Sequence, residues 1–96
     1  MLSLDCLDKY WIRKTHMQRW EYLLVRVDLC VSGLLGTKWR PHVENGIEIP
    51  DWTKGLTEPD YLNRKGDEGW ELVSFDSITI GAEVKYKSMC FKRPIS

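Results

Sequence analysis

Apolar and polar positions alternate most regularly over residues 18–32, where Leu23, Val25, Val27, Leu29 and Val31 occupy every second place. A period of two puts them on one face of an extended strand. The intervening positions Trp20, Tyr22, Leu24, Arg26, Asp28 and Cys30 start apolar and become charged. One fully apolar face and one mixed face predict a strand in an antiparallel sheet that a helix covers on one side. The glycines at 33 and 36 break the pattern. Residues 38–44 and 47–49 then flank Asn45-Gly46, a pair suited to the two positive-φ positions of a tight hairpin turn. Pro41 confines its strand to an edge or a bulge. The hairpin is expected to project from the main sheet as an excursion.

Residues 50–55 read as loop, and residues 56–66 suit a short helix with Thr57 at the N-cap, Pro59 in the first turn and Gly66 at the stop. Tyr61 and Leu62 are its expected core contacts. A second strand follows from Gly69 through Phe75 and a third over residues 84–93, joined by a turn at 80–83, so these two should pair. On the last strand Met89 and Phe91 share a face. Residues 1–17 carry Leu4, Leu7, Trp11 and Ile12 as an approximate helical stripe, with Asp5 and Asp8 near its start. The expected architecture is α+β: a small antiparallel sheet in the order strand, hairpin, helix, strand, strand, with one short helix on one face and an N-terminal helical extension. We read residues 1–96 as a single domain, with a core of 18–32 and 56–94, an extension at 1–17 and an inserted hairpin and loop at 33–55.

Composition narrows the function classes. With 43% hydrophobic and 29% charged residues the chain has material for a packed core, although its length keeps that core modest. Fourteen basic residues balance fourteen acidic ones, whereas a nucleic-acid binder needs a cationic surplus for phosphates. The three cysteines are scattered and odd in number, without CxxC or Cys–His spacing. That argues against a disulfide scaffold and against a zinc site, and points to reduced thiols in a cytoplasmic protein. The N-terminus lacks the basic start and apolar run of a signal peptide, and no stretch suits a bilayer span.

Trp20-Glu21-Tyr22, then Tyr61-Leu62-Asn63 ahead of Gly66, then Gly69-Trp70-Glu71-Leu72-Val73-Ser74, then Phe91-Lys92-Arg93-Pro94 follow one another in the order WEY…LN..G.EGWELV…FKRP. This resembles the signature of a family of small bacterial domains of unknown function, the DUF4177 type. The resemblance covers Trp20–Val31 and residues 60–94. The extension at 1–19 and the insertion at 33–55 depart from the short family form. What it implies is a fold and no activity. The glycines of the motif let a helix reverse directly into a strand, and Trp70 suits the rim of the core there.

No residue set has the pattern of catalytic machinery. His16 and His42 read as solvent-facing polar residues, and the carboxylate pairs Glu44/Glu48 and Asp67/Glu68 as solvating residues beside turns. No nucleophile elbow, phosphate loop or dinucleotide fingerprint occurs. The catalytic and metal sets are therefore empty and no cofactor is expected. The five tryptophans are more than this length needs. Trp39 and Trp52 lie in the insertion beside Lys38, Arg40, Asp51 and Lys54, and exposed aromatics beside arginine mark interfaces and ligand pockets. They could equally fold back over a small core. Trp39, Arg40, Trp52, Tyr86 and Trp11 are the candidate interface or ligand residues. The leading expectation is a non-catalytic interaction module that associates with itself. A protein partner, or a planar or nucleotide-like ligand, is the alternative. A nucleic-acid-binding sheet built on Lys85, Lys87, Lys92 and Arg93 with Tyr86 and Phe91 is a further one, against which the charge balance counts. No membrane association is expected.

Overall fold

A computed structural model of the chain describes residues 18–31 and 36–95. Among them are strands β1 Trp20–Val31, β2 Thr37–Glu44 and β3 Ile47–Glu48, helix α1 Glu58–Asp67, and strands β4 Glu71–Ile80 and β5 Glu83–Pro94. The strands form one antiparallel sheet in the order β3-β2-β1-β5-β4. Among the described residues one short α-helix packs on one face of this sheet, so the fold is α+β. The expected N-terminal extension, Trp11 included, lies outside the described residues. No helix among those described is long and apolar enough to cross a membrane.

The core follows the alternation in β1 and β5. Leu23, Val25 and Val27 pair across to Phe91, Met89 and Lys87, and the apolar members bury against Tyr61 of α1. Tyr61 meets Phe91 edge-on at 6.2 Å between ring centres, a favoured aromatic geometry. Leu56, Leu62, Trp39 and Trp70 close the margins. The apolar face does not stay buried along all of β1, because Leu29 and Val31 are exposed, Val31 at 74%. The cause is topological. The β1–β5 register ends at Val27 and Lys87, whereas β1–β2 continues to Val31 and Thr37, and β4–β5 to Ile80 and Glu83. Beyond Val27 the sheet divides into two two-stranded arms.

The Asn45-Gly46 hairpin forms with φ of 47° and 82° at its two turn residues. It does not project as an excursion. β2 pairs with β1 along its length and becomes an inner strand beside the two-residue β3. Asn45 explains the docking: its backbone N–H donates to the Leu24 carbonyl, and its Oδ1 accepts from the Leu24 N–H, both at 2.8 Å. The side-chain amide thus continues the ladder past the end of β2. Pro41 sits at the register shift between Arg26 and Val27, a bulge in which its missing N–H breaks no regular ladder.

Helix α1 begins after Thr57, with Pro59 in its first turn. The Thr57 hydroxyl donates to Asp60 Oδ2 at 3.0 Å. Acidic Glu58 and Asp60 at the start and basic Arg64 and Lys65 at the end suit the helix dipole. Gly66 does not stop the helix, which runs one residue further. Gly69 makes the stop, at φ 90°. Its N–H donates to Gly66 and the Trp70 N–H donates to Lys65, the paired bonds of a Schellman ending in which the left-handed position favours glycine.

Candidate functional site

Helix α1 and the inner strand β2 enclose a groove of 280 Å3 with Pro41, Trp52, Leu56 and the Tyr61 ring among its walls. Glu44, the last residue of β2, stands opposite Val25 and therefore on the helix-covered face. Its Oε2 accepts from the Tyr61 hydroxyl at 2.5 Å and lies 3.3 Å from Lys65 Nζ, which in turn meets Glu68 at 3.0 Å. Burial, and then the hydrogen bond to the Glu44 carboxylate, push the Tyr61 hydroxyl far above its ordinary pKa. The phenol is held as a neutral donor. The arrangement closes the polar end of the groove by satisfying its own charges.

A second cluster ties the segment after β3 to the sheet. The His42 ring stacks on Trp52 with centres 4.1 Å apart, and its Nδ1 hydrogen-bonds Asp28 Oδ2 at 2.8 Å. A carboxylate only accepts, so Nδ1 carries the proton. Arg26 reaches the same carboxylate at 3.0 Å. Burial acts to raise the Asp28 pKa, but the bonds from Arg26 and His42 outweigh it and hold the carboxyl below its usual range. Arg40 Nη1 donates to the Gly55 carbonyl, and buried Cys30 lies 3.6 Å from the Thr53 carbonyl. Residues 52–55 are thus clasped to β1 and β2 through three side chains, those of Cys30, Arg40 and His42.

The opposite margin is open. None of the ten residues of β4 is buried. Leu72 and Phe75 stand opposite the fully buried Phe91 and Met89, yet are 39% and 36% exposed because α1 makes its contacts over β2, β1 and β5. Among the described residues no strand pairs with the outer edge of β4. On the face away from α1, Tyr22 and Leu24 of β1 are exposed as well.

Compared with known proteins, the chain matches no family model and no curated protein.

The structure distributes the sequence-derived candidates over separate places. Trp52 lines the groove. Arg40 holds the adjoining loop, and its Nε is buried without a hydrogen-bond partner among the described residues. Trp39 packs against the core with Lys87 Nζ 4.6 Å above its ring, and it lines a shallower recess of 380 Å3 with Thr57, Glu58 and Pro59. Tyr86 lies apart, with the Arg26 guanidinium 4.2 Å over its ring. No one recess gathers Trp39, Trp52, Arg40 and Tyr86. The basic residues of β5 are each engaged: Lys85 with Glu83, Lys87 with Glu58, Arg93 with Glu21, and Lys92 over Trp20.

His42 departs from its expected solvent-facing place. It is half-buried, and its carboxylate partner is Asp28, with Glu48 at 3.7 Å. The groups that sequence reasoning missed are Glu44–Tyr61–Lys65 and Asp28–His42. Each joins residues on different elements, so no local spacing announces it. The i, i+4 placement of Tyr61 and Lys65 on one helical face was the single signal available.

Proposed function

We propose that this chain is a non-catalytic interaction module that assembles with further copies of itself. The observation that carries the reading is β4: a ten-residue marginal strand, with no buried residue, that presents Leu72, Val73, Phe75 and Ile80. Apolar surface of this kind marks a contact when it is contiguous. The chain has no net charge, so its partner need not carry a complementary excess, and a second copy meets that condition. A small core also gains from association. The titratable groups lend support in the same direction, since Glu44, Tyr61, Lys65, Asp28 and His42 are engaged with one another. Acid–base work needs a group within reach of a substrate proton.

Sedimentation velocity over micromolar concentrations tests the reading. A dimer or larger species whose share grows with concentration is expected, and a strict monomer throughout the range overturns it. A second reading, binding of a small planar molecule, is favoured by the groove beside Trp52, whose volume lies near the lower end for ligand sites, about 300 Å3. Its test is quenching of tryptophan fluorescence across a metabolite panel.

A further inference from the structure

We infer that β4 pairs edge to edge and antiparallel with β4 of a second copy, so that two five-stranded sheets become one. The inference rests on the assembly reading above and specifies its route. An edge strand offers a row of backbone donors and acceptors, and proteins ordinarily blunt it with lysine, proline, a very short strand or a cover. The two margins of this sheet differ in that respect. β3 is two residues long, and after it the chain turns away at Pro50 once the Ile49 N–H has bonded the His42 carbonyl. β4 runs ten residues, ELVSFDSITI, with neither lysine, arginine nor proline. Two register shifts interrupt its pairing with β5, between Leu72 and Ser74 and between Ile78 and Thr79; in the second the extra residue, Lys85, lies on β5, so residues 74–80 run without an inserted residue along β4.

The occupant is a second copy because the strand complements itself. Antiparallel pairing about a two-fold axis perpendicular to the sheet keeps each residue on its own face, and the same patch serves both partners. Centring the axis on Asp76 would set that carboxylate against its own image, which is unfavourable. Centring it on Ser77 sets Asp76 opposite Ile78 and Phe75 opposite Thr79, so neither acidic residue of the strand directly faces another. The helix position fits. Because α1 leaves β4 uncovered, Phe75 of each copy, which stands opposite Met89 on the helix-covered face, lies two residues from the axis on the same side of the joined sheet.

Ser77→Glu tests the pairing in the full chain. Ser77 is exposed and stands opposite Lys87 of its own β5, so a carboxylate is accommodated within one copy but meets its image at the proposed axis. The dimer dissociation constant should rise by about tenfold or more, with an unchanged circular dichroism spectrum. Mixing Ser77→Glu with Ser77→Lys should restore association through the mixed pair. A wild-type dimer that Ser77→Glu leaves intact but Leu24→Ser dissociates would overturn the edge pairing and place the contact on the open face, with the assembly reading still standing. A strict wild-type monomer would overturn both.

Discussion

Where Leu23 pairs with Phe91, the sheet lies under Tyr61, and the polar groups around it, Glu44, Lys65 and Glu68, satisfy one another. Where Val31 pairs with Thr37, the same sheet has become a two-stranded arm with Val31, on the face of Leu23, 74% exposed and no helix of the described residues above it. The strands are alike in length and alternation, so the difference lies in what covers them. α1 is ten residues long, about 15 Å at 1.5 Å per residue, too short to cover both ends of twelve-residue strands. The lesson is that in a small domain one short helix decides which apolar faces serve stability and which are left to meet a partner.

The most direct way to break this comparison is to truncate one aromatic or aliphatic group at each end. Phe91→Ala, at a position 1% exposed, should cost about 3–5 kcal/mol. Val31→Ala should stay within about 0.5 kcal/mol in dilute solution. Urea unfolding of the two variants measures both, and similar costs would erase the distinction.

Tyr61→Phe sharpens it further, since it removes only the hydroxyl that joins the helix to β2. The loss should be about 1–2 kcal/mol, because the Glu44 carboxylate keeps Lys65 but loses a charge-assisted bond. The pH dependence identifies the cause. Folding raises the Tyr61 pKa, so the unfolded chain releases the proton first as pH climbs. The stabilisation is complete below about 10, the ordinary tyrosine value, and declines above it. Melting temperatures between pH 8 and 11 should show a falling alkaline limb in the wild type and a flatter one in the variant.

What was legible in the sequence divides along the same line. The strands, the Asn45-Gly46 turn and the Thr57 start of α1 could be read because each depends on neighbours in the chain. The helix ends one residue past the expected place, and its stop glycine is Gly69 rather than Gly66: both offer a break, and only the bonds to Lys65 and Gly66 select the second. The hairpin's docking depended on Asn45 reaching Leu24, twenty-one positions away, and the exposure of Leu29 and Val31 on where β5 parts from β1. Of the two places open to Trp39 and Trp52, a contact surface or a cover for the small core, the sequence could not choose; both lie half-buried, against the core margin and on His42, while exposed apolar groups are spread over Tyr22 and Leu24 of β1, Leu72, Val73 and Phe75 of β4, and the arms.

Asp28→Asn probes the boundary between the two regions, because Asp28 lies just where β1 leaves β5 and holds both Arg26 and His42. The amide keeps the shape and one acceptor but loses the charge. Arg26 is half-exposed, so solvent screens its share, and a cost of about 1 kcal/mol near neutral pH is expected, mainly from His42. Folding lowers the Asp28 pKa, so its contribution is present above about 3.9, the unfolded value, and is lost as pH falls below it. Wild type and Asp28→Asn should therefore converge in stability below pH 4, by chemical denaturation at each pH. If they remain apart there, the carboxylate's charge is not what clasps residues 52–55, and the stacking of Trp52 on His42 suffices to hold the covered end together.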